Sequence, residues 1–380
     1  MLPRRLSLLA AVVLVLAGLC VPAATASPAL QVGIVEHAEA LTGNPDRFFP
    51  QLRTLRAQLL RVNLNWGGRI GVARLRPGNG ADPADPAYDW GIYDRAVLQA
   101  DRQGVRVIFS IFGTPVWANG VGLPQVAPLK PAHLERFAYA AALRYSGTFR
   151  RPDGRVLPAV RHWIAWNEPN LRLGLVPQYR RVGPNRWAVQ SAVDYARICN
   201  AIVDGVHATG LRGERVACGV TAPRGNNNPR GARPSVSPLA FLRAMKRAGA
   251  RGFDAYAHQA YYGGPSETPS TRPGGRTAIT LANIDALVAE LDRLYGRKRL
   301  WITEYGYQTS PPDPFFGVSW SLQARYLTQA FAIARRNPRI DMMLWFLLRD
   351  EARLDGWQSG LVTRSGRRKP AFAAFQRLRR

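Results

Sequence analysis

The sequence is poor in the residue types from which metal centres and nucleotide sites are built. It contains 3 cysteines and 5 histidines in 380 residues. No group of His, Cys and carboxylate residues has the spacing of a metal site. No glycine-rich loop of the phosphate-binding type occurs either. We therefore expect the protein to use neither a metal ion nor a cofactor.

Long apolar runs are equally scarce, and the one that occurs lies near the start of the chain. Arg4 and Arg5 precede an apolar stretch from residue 6 to residue 19, and small residues follow at 24–26. This order is typical of a secretory signal peptide. We expect residues 1–26 to be removed on export, which leaves residues 27–380 as a secreted, monomeric chain without a membrane span.

Two cysteines, Cys199 and Cys218, remain beyond this leader. In an exported protein they can form a disulfide, which would link the fourth helix to the fifth strand. The alternative is a pair of small, buried, unpaired thiols, and we favour this second interpretation.

Acidic residues are few, since 25 carboxylates accompany 52 cationic residues, and the net charge is +27. Such an excess is compatible with an anionic partner. No short segment concentrates the charge among interleaved aromatic residues, so we attribute it to an arginine-rich composition and expect no nucleic-acid binding. An acidic envelope or wall polymer stays a candidate partner.

Eight short apolar segments alternate with amphipathic segments along the chain. Their interiors are almost continuous in Val, Ile, Leu, Phe and Trp, as is typical of parallel strands buried on both faces. The predicted strands are Leu30–Glu36, Leu59–Asn65, Val105–Phe112, Val160–Trp166, Arg215–Thr221, Phe253–His258, Arg299–Glu304 and Met342–Leu348.

The segments between these strands have helical periodicity. Trp90, Tyr93, Val97 and Ala100 share one face, and Gly104 ends that helix. The connections that follow strands are long, as in residues 170–190 and 223–238. The sequence therefore predicts a single-domain (β/α)₈ TIM barrel over residues 27–380, with the functional loops on its C-terminal face.

The fourth and the seventh predicted strands each lead into a glutamate. The fourth runs into Asn167-Glu168-Pro169, and the seventh ends at Glu304. Two carboxyl groups at one barrel mouth are what glycoside hydrolysis needs. Arg61 lies inside the second strand, where a charge is costly unless it is paired, so it is the candidate partner of Glu304.

These motifs resemble the retaining glycoside hydrolases of clan A, in particular secreted, actinobacterial, cellulase-like proteins near families 5 and 39. The resemblance implies that Glu168 is the acid/base and Glu304 the nucleophile. It also implies that Asn167 holds the sugar 2-hydroxyl and that Arg61 positions the nucleophile.

Further site residues follow from the same resemblance. His258 and Tyr261 resemble the sixth-strand His-x-Tyr of the clan, with one extra residue between them. Tyr262 is therefore an alternative to Tyr261, and a hydrogen-bonded core role is an alternative for His258. Trp345 matches the strand-eight tryptophan that forms the floor of the sugar site.

Other aromatic residues at the predicted strand tips are candidates for stacking on sugar rings. They are Trp66, Trp117 and Tyr305, and the polar Glu36 and His37 lie at the tip of the first strand. Trp90 and Trp301 are predicted to belong to the core.

The sequence thus predicts a secreted retaining glycoside hydrolase that cleaves O-glycosidic bonds of a poly- or oligosaccharide by double displacement. A transglycosylase would use the same residues and is one alternative. A non-hydrolytic carbohydrate- or cell-wall-binding barrel is the other.

Overall fold

The computed structural model describes residues 30–275 and 277–378. The predicted leader, residues 1–26, lies outside this range. Eight parallel strands close into a barrel because β1 pairs with both β2 and β8. The strands are β1 Gln31–Val35, β2 Leu59–Asn65, β3 Arg106–Phe112, β4 His162–Ala165, β5 Arg215–Thr221, β6 Ala255–Gln259, β7 Arg299–Tyr305 and β8 Ile340–Phe346. The predicted (β/α)₈ barrel is confirmed.

Helices cover the outside of the barrel. They are α1 Ala38–Leu41, α2 Pro45–Thr54, α3 Gly91–Arg102, α4 Val116–Asn119, α5 Pro131–Arg144, α6 Gln190–His207, α7 Pro238–Arg247, α8 Ile284–Tyr295, α9 Trp320–Arg336 and α10 Pro370–Gln376. A 3₁₀ turn, Leu281–Asn283, precedes α8. A two-stranded hairpin, Arg180–Gly183 with Arg186–Ala188, forms inside the long loop after β4. In the described part of the chain, no helix is long and apolar enough to cross a membrane.

Apolar side chains form two layers, one inside the barrel and one between strands and helices. The inner layer contains Ile108, Ile164, Trp301 and Leu344. Trp90 belongs to the outer layer, where its ring stacks on Phe137. Filling the interior in this way makes the barrel a packed core, so a ligand has access only at its ends.

Strand β7 contains one residue more than its neighbours near its C-terminal end. Ile302 pairs with His258, but the next pair joins Glu304 to Gln259, so Thr303 is the extra residue. In a regular strand the face of Trp301 would be shared by Thr303, and Glu304 would point away from the barrel interior. The bulge turns Glu304 inward, as bulges beside active sites commonly do with a side chain.

The two cysteines of the described chain are joined. Cys199 of α6 and Cys218 of β5 form a disulfide with their Cα atoms 6.0 Å apart. Our preference for unpaired thiols was therefore wrong. The alternative, a disulfide between the helix that follows the fourth strand and the fifth strand, is correct. Closing a loop of this length stabilises the folded state by about 3 kcal/mol through the unfolded chain.

Candidate active site

A cleft of about 900 Å³ opens at the C-terminal end of the barrel. Seven of the eight strands contribute to its wall, through their tips or the loops that follow them. The side chains that can act on a ligand there are those of His37, Asn63, Asn167, Glu168, Tyr261, Tyr262, Glu304, Phe346 and Trp357. The structure thus brings both predicted glutamates to one cavity.

Glu304 is held by two hydrogen bonds at the end of β7. Its Oε1 accepts from Arg61 Nη1 at 2.6 Å, and its Oε2 accepts from the Tyr261 hydroxyl at 3.0 Å. Burial raises the pKa of Glu304, while the Arg61 charge and both hydrogen bonds oppose that rise. This carboxyl group therefore has partners that favour its ionised form.

Arg61 is fully buried and connects three strands. Besides binding Glu304, Nη1 donates to the Thr303 carbonyl at 3.2 Å, and Nη2 donates to Ser110 Oγ at 3.1 Å. Nη2 also donates to Asn167 Oδ1 at 2.8 Å. One guanidinium thus fixes the orientation of Glu304 and of the residue that precedes Glu168.

Asn167 is oriented by two donors. Its Oδ1 accepts from Arg61 and, at 2.7 Å, from Gln259 Nε2. Since the carbonyl oxygen of the amide is occupied, its NH₂ group is left as the donor on the cleft side. The predicted role of Asn167, a bond to a sugar hydroxyl, requires such a donor or acceptor.

Glu168 differs from Glu304 in its surroundings. Its carboxyl group lines the cleft and makes no hydrogen bond to any described residue. Burial, followed by the negative charge of Glu304, raises the pKa of Glu168 to about 8, and Arg61 acts in the opposite direction. At neutral pH this carboxyl group is therefore held in its protonated form.

The backbone that presents Glu168 is strained. Trp166 and Glu168 have φ angles of 76° and 41°, which non-glycine residues adopt at a cost of about 1–3 kcal/mol each. The Glu168 N–H donates to the Val220 carbonyl at 3.0 Å, which holds this conformation. A Cβ atom at Gly174 would lie 2.1 Å from the Glu168 carbonyl oxygen, so only glycine allows the following loop to pack here.

His37 contributes a donor from the tip of β1. Its Nδ1 accepts from the Asn63 backbone N–H at 3.1 Å, so the ring proton is on Nε2. Burial and the Arg61 charge lower the pKa of His37 to about 3, and the ring stays neutral. Its neighbour Glu36 is 3% exposed and lines an adjoining cavity of about 760 Å³.

Tyr261 and Tyr262 both line the cleft, but they have different partners. Tyr261 reaches Glu304, whereas the Tyr262 hydroxyl donates to the Phe316 carbonyl at 3.1 Å. Burial and the charge of Glu304 raise the pKa of Tyr261 well above its ordinary value, so it acts as a hydrogen-bond donor. The geometry therefore selects Tyr261 as the partner of Glu304.

Several predicted ligand-binding residues do not line the cleft. His258 is fully buried, with Nδ1 2.9 Å from Thr221 Oγ1 and Nε2 3.0 Å from the Ile279 carbonyl oxygen. Both ring nitrogens are thus used within the protein, as in the core role that we considered for it. Trp345 is also fully buried, and its Nε1 donates to the Ser359 carbonyl at 2.9 Å.

The remaining aromatic candidates pack behind the cleft. Trp66 is buried and stacks on Phe137, and Trp117 donates to the Ala73 carbonyl at 2.8 Å. Tyr305 is 1% exposed and stacks behind Tyr261. Their rings fill space between strands and helices, because the apolar strand ends are covered by loops.

The aromatic residues that line the cleft instead are Phe346 and Trp357, together with Tyr261 and Tyr262. The Tyr261 and Trp357 rings lie 5.0 Å apart, and Phe346 lies edge-on to Trp357 at 5.4 Å. Sequence reasoning missed Phe346 because β8 begins and ends two residues earlier than predicted. Asn63 was also missed, although it follows Arg61 by two positions and so lies on the same face of β2.

Solved structures similar to this one include glycoside hydrolases. A family 39 glycoside hydrolase from Bacteroides cellulosilyticus is 17% identical, with a TM-score of 0.62 over 92% of this chain and 63% of that chain. The GH39 enzyme from Xanthomonas axonopodis pv. citri is 18% identical, with a TM-score of 0.59 over 93% of this chain and 67% of that chain. The GH5_18 enzyme from Streptomyces cattleya, solved with GlcNAc, is 16% identical, with a TM-score of 0.58 over 92% of this chain and 79% of that chain.

These similarities show that the chain has the (β/α)₈ barrel fold that these enzymes share. The chain spans less than two thirds of the length of the Bacteroides enzyme. No family model matches the sequence, and no curated protein is significantly similar to it.

Proposed function

We propose that the protein is a retaining glycoside hydrolase, with Glu304 as the nucleophile and Glu168 as the acid/base. The observation that carries this proposal is the contrast between the two carboxyl groups of one cleft. Arg61 and Tyr261 bind Glu304, whereas the Glu168 carboxyl group has no hydrogen-bond partner among the described residues and its pKa is raised to about 8. Two carboxyl groups with separated pKa values are what acid–base chemistry on a glycoside needs.

In the first step the Glu304 carboxylate attacks the anomeric carbon of the sugar. The bond from this carbon to the glycosidic oxygen breaks, and Glu168 transfers its proton to the departing oxygen. A glycosyl ester on Glu304 results. Tyr261 then loses an anionic hydrogen-bond partner, and the charge that raised the pKa of Glu168 is gone.

In the second step the ionised Glu168 takes a proton from water. The resulting hydroxide attacks the anomeric carbon, and Glu304 leaves as a carboxylate. Both displacements invert the carbon, so the product keeps the configuration of the substrate. We expect the two carboxyl groups to lie roughly 5–5.5 Å apart, the separation that suits this mechanism.

The proposal is tested by glycoside release and product stereochemistry. A panel of aryl glycosides and of plant, fungal and bacterial wall polysaccharides identifies the sugar, and proton NMR of the first-formed product identifies the anomer. Glu304→Ala should be almost inactive and should regain turnover with azide, whereas Glu135→Ala, exposed on α5, should resemble the wild type. An inverted product anomer would contradict the mechanism.

We also propose that the protein is exported, with residues 1–26 removed. The buried Cys199–Cys218 disulfide supports this, since disulfides persist in oxidising compartments. N-terminal sequencing of protein from the culture medium should start at residue 27. Accumulation of an uncleaved chain in the cytoplasm would refute the proposal.

A further inference from the structure

Charge is distributed unevenly around the barrel mouth. The loops after β4 and β5, residues 170–190 and 223–238, contain seven arginines and no aspartate or glutamate. On the opposite side, the segments after β1 and β8 carry both signs and form ion pairs such as Arg349–Glu39 and Lys369–Asp350. The charged residues of these two loops are thus all cationic.

Most of these arginines have no carboxylate partner. Arg224 pairs with Glu267 at 3.1 Å. The other six are exposed, and none forms a salt bridge with any residue that the structure describes: Arg172, Arg180, Arg181, Arg186, Arg230 and Arg233. Their positive potential is therefore largely uncompensated, although Arg180 lies near enough to Asp194 of α6 to oppose the burial that raises the pKa of that carboxyl group.

The loops and the hairpin form one surface. Arg172 Nη1 donates to the Ala232 carbonyl at 3.4 Å, and the Tyr179 hydroxyl donates to the Ser235 carbonyl at 3.1 Å. The Arg230 guanidinium donates to Asn185 of the hairpin. The arginines of the loop after β4, of its hairpin and of the loop after β5 thus lie on one surface.

A groove in this surface continues from the catalytic cleft. It has a volume of about 530 Å³, with Arg172 and Arg233 in its wall. Leu171 and Leu173 line both the groove and the cleft, and Leu173 is 79% exposed. A chain that occupies the cleft can therefore extend into the groove.

The groove lies on the side of Glu168, three residues before Leu171. The position of the leaving group rests on the proposed function. The acid protonates the glycosidic oxygen, so the leaving part of the substrate lies on the Glu168 side. The leaving part of the substrate then lies over Leu171 and Leu173, with Arg172 and Arg233 beside it.

We propose that this surface binds an acidic polysaccharide, whose leaving-group portion lies in the groove between Arg172 and Arg233. Sugar rings have apolar faces that can pack on Leu171 and Leu173, and carboxylates on the same rings reach the guanidinium groups. A neutral polysaccharide would leave the arginines unused. A nucleic acid would need stacking platforms, and among the described residues of these loops only Trp187 is an exposed large aromatic.

Binding is measured with the Glu304→Gln variant, which prevents turnover of the probe. The probes are polygalacturonate, alginate and hyaluronan at low ionic strength, each compared with its carboxyl-reduced polymer. We expect the acidic forms of one or more to bind and the reduced forms to bind at least tenfold more weakly. Added salt should weaken the binding, because exposed charges are screened.

The matched variants are Arg172→Gln/Arg233→Gln and Arg102→Gln/Arg247→Gln, which change the net charge equally. Arg102 and Arg247 are exposed on α3 and α7, outside the cavities described above. The groove pair should lose about two- to thirtyfold in affinity, as expected for two exposed charge contacts, and the control pair should not. Unchanged thermal melting shows that both variants are folded.

The inference would be overturned by binding to none of the three acidic polymers, by equal binding of the reduced polymers, or by an equal loss in the control pair. Retention on anionic lipid vesicles instead of the polymers would assign the surface to a membrane and would also overturn it. The glycoside-release assay and this binding assay can fail independently, so the proposed function is judged separately.

Discussion

Replacing Glu168 by glutamine should stabilise the folded protein at alkaline pH. Burial and the charge of Glu304 raise the pKa of Glu168 from 4.5 to about 8. In the unfolded chain the carboxyl group ionises near its ordinary value. Between these two pH values the folded state therefore binds more protons than the unfolded state, and the free energy of unfolding falls as pH rises. The loss of stability caused by ionising Glu168 in the folded state is absent below about pH 4.5 and complete above about pH 8.

The size of the effect follows from the same shift. At 1.36 kcal/mol per pH unit, the difference between 4.5 and about 8 corresponds to an upper limit of about 5 kcal/mol. Glutamine keeps the shape of the side chain without its charge, so it avoids this penalty. If Glu168 has the proposed role, a group placed for proton transfer lowers the stability of the fold that holds it.

Urea unfolding of the wild type and of Glu168→Gln at pH 5, 7 and 9 measures this difference. The variant should gain stability over the wild type progressively from pH 5 to pH 9. The gain should be smaller in a Glu304→Gln background, where the neighbouring charge is missing. Glu135→Gln, exposed on α5, should show no such trend. A variant that gains nothing between pH 5 and pH 9 would refute the reasoning.

Three further predictions concern single contacts. Asn167→Ala should lower kcat roughly 100-fold with less effect on KM, because we expect the bond from Asn167 to the sugar to strengthen in the transition state. An unchanged kcat would show that Asn167 has no part in the reaction. Thiol titration of the denatured, unreduced protein should find Cys199 and Cys218 oxidised, and two free thiols would contradict the disulfide. Gly174→Ala should destabilise the fold by about 1–3 kcal/mol in urea unfolding, because its Cβ would lie 2.1 Å from a backbone oxygen. Gly264→Ala, which meets nothing within 4 Å, is its control, and equal stability of the two variants would count against the close packing.

The strand bounds could be predicted where most of the strand is buried. Strands β2 and β5 have the predicted bounds, because most of their residues are buried and apolar. Strand β8 begins two residues before the predicted start. The prediction started too late because Asp341 interrupts the apolar run. In the fold this carboxylate pairs with Arg299 of β7 and is no longer a loop signal.

The pairing of Arg61 with Glu304 could also be inferred from sequence. A cation inside a barrel strand needs an anion, and few strand-end carboxylates are available to it. Which aromatic ring lies in the cleft could not be inferred, since Trp345 and Phe346 are neighbours. Their assignment depends on the strand register, and a shift by one residue exchanges the faces.

The sequence by itself determined the barrel, the long loops on one face and the two glutamates at strand ends. These features depend on local patterns of apolar residues, proline and glycine. Only the tertiary structure decided that the extra residue Thr303 turns Glu304 inward. It also decided that both ring nitrogens of His258 form hydrogen bonds in the core, and that Cys199 and Cys218 form a disulfide. Each of these depends on packing between residues distant in sequence, which no local pattern encodes.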